Sequence, residues 1–524
     1  ALPRPSADLP GSRMSEDLKS CRYEPIALSN ESTVVAEFLP EFLGVREAVY
    51  QSEAELEKAF IKQLQVQAYE YLPVASEAEL IANLRRQLEK LNKITFSDGE
   101  WERFFSTCIA GSNDGIIEKT ARIQEDHIQV LKRDDGSTKN IYLIDKRHIH
   151  NNALQVINQY EVEGARTNRY DVTVLVNGLP MVHVELKRRG VDIREAFNQI
   201  NRYQRDSFWA GCGLFEYVQL FVISNGTLTK YYSNTVRDGH LAEQRSKRSK
   251  SKTSNSFSFT SWWADAKNQP ITELTGFAKT FFARHALLNI LTRYCVFDVD
   301  RKLLVMRPYQ IVAAERILQR IATATNHRQL GSIAAGGYVW HTTGSGKTLT
   351  SFKVAQLARG LPDINKVLFV VDRKDLDYQT MREYERFEKG AANSNTSTSV
   401  LQKQLEDPNA RIIITTIQKL SRFVAKNKKH PVYDAHVVVI FDECHRSQFG
   451  DMHSEITRVF KRYHLFGFTG TPIFAKNSGA GGNPLRRTTE QAFGDKLHTS
   501  PIPDAINRQH VLPLRTAYTP TPPR

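Results

Sequence analysis

A strand that runs into a glycine-bearing turn constrains this chain more than any other feature. Residues 338–348 read Tyr-Val-Trp-His-Thr-Thr-Gly-Ser-Gly-Lys-Thr, and a helix is predicted to start at the end of this segment. Gly344 and Gly346 can adopt backbone angles that let successive N–H groups point at one anion. In a phosphate-binding loop, Lys347 reaches the β- and γ-phosphates and the Thr348 hydroxyl binds Mg²⁺. The predicted nucleotide-binding residues here are Gly344, Ser345, Gly346, Lys347 and Thr348.

The match to the phosphate-loop pattern is partial, because this chain has His341 where the general pattern has glycine. A glycine-rich strand-to-helix turn without a nucleotide is therefore the alternative interpretation. The following residues help to decide between the two. Four near-continuous apolar runs, separated by helix-length segments, predict the interior strands of a parallel α/β sheet. These runs are Val367–Val371, Arg411–Thr415, Val437–Phe441 and Leu465–Thr469.

Polar residues follow the ends of these runs, where open α/β sheets bind their ligands. Asp442 can hold Mg²⁺ through water, and the adjacent Glu443 can polarise the water that attacks the γ-phosphate. Thr469 and Thr471 end the next run, and their hydroxyls are suited to link a nucleotide site to a nucleic-acid track. Gln310, near the start of an earlier predicted helix, can bind the adenine edge. The ordered set favours a nucleotide-hydrolysing site over a series of capped helix starts.

A predicted hairpin in the first half carries a second group of charged residues. Two β-rich runs are joined by Asn177-Gly178, a strong signal for a two-residue turn. Glu185 and Lys187 lie two residues apart and so share one face of their strand. A regular two-residue turn would put Asp171 on the opposite face, so we predict a bulge or an odd-length loop here.

Two carboxylates and a lysine on one face can form a nuclease site. Asp171 and Glu185 can hold one or two Mg²⁺ ions, which generate hydroxide and stabilise the phosphorus centre under attack. The Lys187 ammonium can orient the water or neutralise developing charge. The alternative is a surface hairpin of alternating charge.

Two neighbouring features bear on this hairpin. Gln199 and Tyr203 lie at i and i+4 of the helix predicted at 193–205, so they project from one face and can contact DNA if the metal site is real. Otherwise they belong to an ordinary half-buried helix. His183 shares the face of Glu185 and is interpreted as a structural residue.

Local patterns predict three further segments. The leucines of Glu77–Leu91 recur at helical spacing, and Ser76 with Glu79 forms a capping box at its start. The basic, serine-rich segment 245–258 is predicted to be a mobile loop. A helical stretch at Ile271–Tyr294 leads into the second half.

Length and charge place the chain among large basic proteins. Its 524 residues are enough for two or more domains, and 71 Lys+Arg against 57 Asp+Glu leave a net charge of +14. This charge favours a polyanionic partner such as nucleic acid, although solvated surface lysines give the same total.

The 5 cysteines lack any C-x-x-C spacing, so we expect reduced thiols and no zinc site. Without a long apolar run, we expect a cytoplasmic protein that does not enter a membrane.

The ordered motifs Gly-Ser-Gly-Lys-Thr, Asp-Glu-Cys-His and Thr-Gly-Thr-Pro resemble the first motor lobe of a superfamily 2 helicase or translocase. Together with Asp171, Glu185-x-Lys187 and Gln199-x-x-x-Tyr203, they resemble the restriction (motor and nuclease) subunit of prokaryotic type I restriction-modification enzymes. The resemblance implies an α/β fold, with a PD-(D/E)xK-type nuclease domain followed by a RecA-like parallel-sheet helicase lobe. It also implies ATP and Mg²⁺ as cofactors, and ATP-driven translocation on double-stranded DNA followed by cleavage. The implied partners are methyltransferase (modification) and specificity subunits.

The predicted domain boundaries follow from this resemblance. We expect a leader at 1–13, the endonuclease domain at 14–260 with its basic loop at about 240–258, the first helicase lobe at 261–515 and a tail at 516–524. Only 52 residues follow Pro472. We therefore expect an N-terminal fragment without the second motor lobe, which binds ATP weakly and hydrolyses it negligibly.

Three hypotheses follow. The first is the nuclease and motor subunit. The second is a superfamily 2 remodelling ATPase or helicase with a noncatalytic DNA-binding N-terminal domain, which predicts that Asp171 and Glu185 do not converge. The third is a scaffold whose motifs are vestigial, and the intact Lys347, Asp442 and Glu443 argue against it.

Overall fold

Two β-sheets carry the fold in the computed structural model of this chain. The structure describes residues 51–163, 167–236, 255–342, 344–371, 397–442, 451–474 and 488–500, with the short pieces 23–24, 34–35, 37–38, 387, 393–394 and 444. The strands, in chain order, are β1 Tyr23–Glu24, β2 Glu37–Phe38, β3 Glu70–Tyr71, β4 Ile128–Lys132, β5 Thr138–Tyr142, β6 Leu154–Glu163, β7 Thr167–Val176, β8 Leu179–Leu186, β9 Leu220–Ser224, β10 Thr229–Ser233, β11 Cys295–Phe297, β12 Leu303–Val305, β13 Gly337–His341, β14 Lys366–Val371, β15 Asn393–Ser394, β16 Ile412–Thr416, β17 His436–Phe441, β18 Arg462–Thr469 and β19 Lys496–Ser500.

The described α-helices flank these sheets and are named here by their bounds. They are Glu53–Val66, Glu77–Asn92, Asp98–Phe104, Ile116–Gln124, Ile193–Asp206, Leu274–Phe281, Arg284–Thr292, Pro308–Asn326, Lys347–Arg359, Thr398–Glu406, Ile417–Lys426, Asp451–Val459 and Thr489–Phe493.

The first sheet lies in the N-terminal half and has the strand order β10-β9-β8-β7-β6-β3. Its centre is the antiparallel hairpin β7–β8, and β9 then pairs parallel to β8. Every residue of β8 is buried, because helices and loops cover both faces of the sheet. The hairpin strands therefore form the core of this half.

The hairpin turn and its bulge confirm two sequence predictions. Asn177 and Gly178 both have positive φ, at 51° and 84°, as a two-residue primed turn requires. The register of β7 against β8 shifts between Val174 and Leu175. This bulge changes which residues of β7 share a face with Glu185.

The second sheet lies in the C-terminal half and has the strand order β15-β16-β14-β17-β18-β13-β19. All of its described pairings are parallel. The four predicted interior strands are confirmed as β14, β16, β17 and β18. Parallel strands of this kind, connected by helices, form the predicted α/β architecture.

Two helix predictions have different outcomes. The helix Glu77–Asn92 is confirmed, and its predicted capping box is present at Ser76 and Glu79. The predicted single helical stretch at 271–294 is wrong, because it divides into Leu274–Phe281 and Arg284–Thr292. The Tyr69 hydroxyl donates to the Phe282 carbonyl oxygen at 2.7 Å, which satisfies an acceptor left at the break.

The two halves share one continuous hydrophobic cluster, which includes Phe60, Phe282 and Val339. The helix Leu274–Phe281 packs on Glu53–Val66 of the first half, so the segment after residue 261 does not belong to the second sheet alone. The predicted boundary at 260/261 stays a prediction. Most of the predicted mobile loop at 240–258 lies outside the described residues. Among the helices that the structure describes, none is both long enough and apolar enough to cross a membrane.

Candidate functional sites at the two sheets

The hairpin β7–β8 brings together Asp171, Glu185 and Lys187, which we call the hairpin site. The pairing of Val172 with Val184, continued by one residue, places Asp171 opposite Glu185 on the same face. Lys187 Nζ donates to Glu185 Oε1 at 3.0 Å. The bulge has therefore produced the convergence that a regular turn would have prevented.

Burial controls the electrostatics of the hairpin site. Burial raises the pKa of Asp171, and the neighbouring Glu185 raises it further, while a hydrogen bond from Leu186 N at 2.8 Å opposes the shift. Burial also raises the pKa of Glu185, against the lowering effect of Lys187. For Lys187 itself, burial acts to lower the pKa, but the two carboxylates prevail and the net shift is upward. Two carboxyl groups whose pKa values are raised in this way are stabilised in their ionised form by added positive charge.

The side chains of the hairpin site suit a divalent cation. Within the described part of the chain, no three His, Cys, Asp or Glu side chains are grouped as a complete metal-binding set. Mg²⁺, however, commonly binds through one or two carboxylates and keeps several waters. Glu185 is fully buried, and its Oε2 has no hydrogen-bond partner within the part of the chain that the structure describes. Asp171 and Glu185 thus supply the oxygen ligands and the uncompensated charge that such an ion fits.

Gln199 and Tyr203 lie together beside the hairpin site. Gln199 Nε2 donates to the Tyr203 hydroxyl, which donates in turn to the Arg169 carbonyl oxygen at 2.9 Å. The Tyr203 side chain is buried, and its ring centroid lies 6.0 Å from that of His183. Tyr203 therefore supports β7 through its hydrogen bond to the Arg169 carbonyl oxygen. The predicted DNA contact of the pair stays a prediction.

Two residues near the hairpin site were not predicted to be functional. His183 Nε2 lies 3.4 Å from Glu185 Oε2, although the sequence suggested only a structural role. Glu53 Oε1 accepts a long hydrogen bond of 3.4 Å from Arg188 N, next to Lys187. The two-residue spacing of His183 and Glu185 was a usable signal. No sequence signal linked Glu53 to this site, because it lies more than 100 residues before the hairpin.

The phosphate loop, residues 344–348, leaves the carboxyl end of β13 and enters the helix Lys347–Arg359. Gly344 and Gly346 have φ of 81° and 76°. These left-handed conformations turn the backbone at the helix start, as predicted. Lys347 is buried, and Thr348 is half-buried in the first turn of the helix. The loop therefore presents a helix N-terminus with a lysine and a hydroxyl beside it, the arrangement that binds phosphate.

Gln310 supports the phosphate loop from beneath. Its Nε2 donates to the Ser345 carbonyl oxygen at 3.0 Å, and its Oε1 accepts from Arg307 N at 2.9 Å. The Tyr309 hydroxyl donates to the same Ser345 carbonyl oxygen at 2.6 Å. Both ends of the Gln310 amide thus bind backbone groups. The predicted adenine contact of Gln310 stays a prediction.

The other predicted motor residues lie at the carboxyl ends of strands close to β13. Asp442 directly follows β17, and Thr469 ends β18, the strand between β17 and β13. Thr469 Oγ1 accepts a hydrogen bond from the backbone N–H of the exposed Thr471 at 3.0 Å. Trp340 Nε1 donates to the Gly470 carbonyl oxygen at 3.1 Å, which ties this turn to β13. Glu443 lies outside the described residues.

A cavity of about 600 Å³ opens beside the phosphate loop, between the two halves of the chain. Gln310, Gly346 and Leu349 line one side, and Tyr232 and Phe259 line the other. The cavity is large enough for a purine base with water.

Comparison with known proteins gives matches in both halves of the chain. Residues 50–240 match the family described as "Type I restriction enzyme R protein N terminus", and residues 309–521 match the family described as "SWI2/SNF2 ATPase". The chain is 47% identical over 308 residues to the type I restriction enzyme EcoprrI endonuclease subunit of Escherichia coli, covering 59% of this chain and 93% of that relative. The chain belongs to the endonuclease subunits of type I restriction enzymes.

Longer members of the type I endonuclease-subunit family also match. The chain is 42% identical over 480 residues to the SsaAORF53P endonuclease subunit of Staphylococcus saprophyticus, covering 90% of this chain and 47% of that protein. It is 43% identical over 479 residues to the SauCOLORF180P subunit of Staphylococcus aureus, with the same coverage of 90% and 47%. The chain thus spans about half the length of these relatives. The predicted family is confirmed.

Proposed function

We propose that this type I endonuclease-subunit chain carries the nuclease and the first motor lobe of an ATP-dependent DNA translocase and endonuclease. Its substrates are ATP and foreign, unmodified double-stranded DNA, and it acts in the cytoplasm with methyltransferase and specificity subunits. The convergence of Asp171, Glu185 and Lys187 carries this proposal. The alternative, a remodelling ATPase with a noncatalytic first domain, predicts that the two carboxylates lie apart, so the hairpin geometry disfavours it.

The hairpin site supplies the chemistry of phosphodiester hydrolysis. Asp171 and Glu185 would hold Mg²⁺, which when bound would activate water and supply positive charge. Lys187, 3.0 Å from Glu185 Oε1, orients the attacking water or neutralises the charge that develops on phosphate oxygens. Water attacks phosphorus, the bond to the leaving sugar oxygen breaks, and that oxygen takes up a proton. Gln199 and Tyr203 support the strand and contact the DNA.

The second sheet supplies the nucleotide site. The N–H groups of Gly344, Ser345 and Gly346 surround the phosphates, and Lys347 reaches the terminal ones. Thr348 and Asp442 hold the Mg²⁺ of ATP, and Glu443 polarises the attacking water. Thr469 and Thr471 couple the nucleotide to DNA movement, since their turn is tied to β13 through Trp340.

A matched pair of variants tests the proposal in the full-length subunit, assembled with its partner subunits. Lys347→Ala removes phosphate binding, so both DNA-stimulated ATP hydrolysis and duplex cleavage should fall by about 10³-fold or more. Glu185→Ala should abolish cleavage while ATP hydrolysis stays within about twofold, because the two sites lie on different sheets. Steady-state ATPase and plasmid-cleavage assays measure both. Cleavage by Glu185→Ala at the wild-type rate would rule out the nuclease assignment.

A further inference from the structure

The strongest unassigned feature is the contact between His183 and Glu185. The two side chains are fully buried on the same face of β8. His183 Nε2 and Glu185 Oε2 face each other at 3.4 Å, longer than an ordinary hydrogen bond. Neither atom has a hydrogen-bond partner among the described residues. A buried carboxylate oxygen and a buried ring nitrogen that face each other in this way define an interaction.

Thr173 contacts one of the two ring nitrogens of His183. Thr173 and His183 are a cross-strand pair, and Thr173 Oγ1 lies 3.1 Å from His183 Nδ1. If the hydroxyl donates to Nδ1, the neutral ring carries its proton on Nε2, the atom that faces Glu185. In that tautomer Nδ1 accepts from Thr173, and the Nε2 proton faces Glu185 Oε2.

Aromatic packing holds the His183 ring in place. The centroids of four rings lie 5.6 to 6.4 Å from the His183 centroid, and all four rings meet it edge to face. They belong to Tyr170, Tyr203, Phe208 and Phe221. A close-packed ring of this kind cannot rotate freely, so the Nε2–H direction is set before any metal binds.

We propose that His183 is a positioning residue for metal binding: its Nε2–H holds Glu185 Oε2, so that Oε1 is directed towards Lys187 and a bound divalent cation. The proposal rests on the proposed metal role of Asp171 and Glu185. It adds a neutral donor behind the ligand, the arrangement by which outer groups orient metal-binding carboxylates elsewhere.

Two substitutions of His183 distinguish the loss of its hydrogen-bond donor from a change in side-chain volume. His183→Phe suits the aromatic surroundings but has no donor, and His183→Gln can place an amide N–H near the position of Nε2. Mn²⁺ binding to the 524-residue chain without nucleotide is measured by titration calorimetry, with the thermal unfolding midpoint recorded for each variant. We expect His183→Phe to weaken Mn²⁺ binding by about tenfold or more, and His183→Gln to stay within about threefold of wild type. Wild-type affinity in His183→Phe, or an equal loss in both variants, would overturn the proposal.

A second pair of variants distinguishes this inference from the proposed function. Thr173→Val removes the hydroxyl at similar volume and should weaken Mn²⁺ binding by a few-fold, whereas Thr173→Ser should not. Glu185→Gln should abolish binding at the hairpin site. If Glu185→Gln binds Mn²⁺ like wild type, the metal site itself is wrong. If Glu185→Gln loses binding while His183→Phe retains it, only the role of His183 is refuted.

Discussion

The two candidate sites are built in opposite ways. The hairpin site consists of side chains on or directly after two antiparallel strands, and burial raises the pKa values of its two carboxyl groups. The phosphate loop consists mainly of backbone groups beyond the end of a parallel strand, supported by Gln310 and Tyr309. The first site therefore depends on strand register, and the second depends on the conformation of one turn.

This difference determines which structural changes disrupt each site. A register change of one residue in β7 moves Asp171 to the other face and removes it from Glu185. The same change in a parallel strand of the second sheet leaves the strand ends, and so the polar residues beyond them, at the same edge. Variants that alter turns without touching the reacting groups test this comparison.

The largest effect is expected at the hairpin turn. Gly178 has φ of 84°, and an added Cβ would lie 2.7 Å from the Leu84 Cα, a backbone atom that cannot move away cheaply. Gly178→Ala should reduce the free energy of unfolding of the first half by about 3 kcal/mol. Gly190→Ala is the matched control, because its φ is 88° but nothing lies within 4 Å of the added Cβ. Chemical denaturation should show a cost of only about 1 kcal/mol for the control, and equal costs would contradict the steric account.

A smaller effect is expected at the phosphate loop. Gly346 has φ of 76°, and an added Cβ would lie 2.5 Å from Gln310 Nε2, displacing the amide that holds the loop. Gly346→Ala should weaken ATP binding by about tenfold or more and lower the free energy of unfolding by about 1 kcal/mol. Fluorescent-nucleotide titration measures the affinity. Unchanged affinity would show that the loop conformation does not limit binding.

A third effect, on the pH dependence of stability, concerns a buried carboxyl group of the second half. Glu315 Oε1 accepts hydrogen bonds from Val34 N at 3.1 Å and the Tyr294 hydroxyl at 3.4 Å, both uncharged donors, whereas Glu185 has Lys187. Burial raises the pKa of Glu315 from 4.5 to about 8. The resulting stabilisation is fully present below pH 4.5 and is lost as the pH rises through about 8.

Because Glu315 ionises in this range, the free energy of unfolding should fall by roughly 1 kcal/mol per pH unit between pH 6 and 8. Glu315→Gln keeps an acceptor for both donors but cannot ionise, so its unfolding midpoint should depend less on pH. Thermal unfolding of wild type and Glu315→Gln at several pH values measures the difference. Identical pH profiles would mean that Glu315 does not titrate in this range.

The second sheet could be predicted well from the sequence because its signals are local. Apolar runs such as Val437–Phe441 identify buried parallel strands, and Asp442 after the run marks the ligand edge. The support beneath the loop could not be predicted, because the amide of Gln310 can bind adenine or backbone equally well. Only the packing of its helix against β13 determines its partner, Ser345.

The hairpin site could be predicted only in part. Asn177 and Gly178 indicate the turn, but the shift between Val174 and Leu175 follows from packing on both faces of the sheet. The break after Phe281 has no glycine or proline to mark it. It depends on the hydroxyl of Tyr69, far away in sequence, which binds the Phe282 carbonyl oxygen.

The central claim, that Asp171 and Glu185 together hold a divalent cation, can be tested by Mn²⁺ soaked into crystals of this chain and located by anomalous scattering. The structure predicts an anomalous peak between the two carboxylates, about 2.0–2.5 Å from an oxygen of each. The same experiment on Asp171→Asn should show a weaker peak or none. A well-ordered hairpin without a peak at saturating Mn²⁺, or a peak bound to other residues only, would contradict the account.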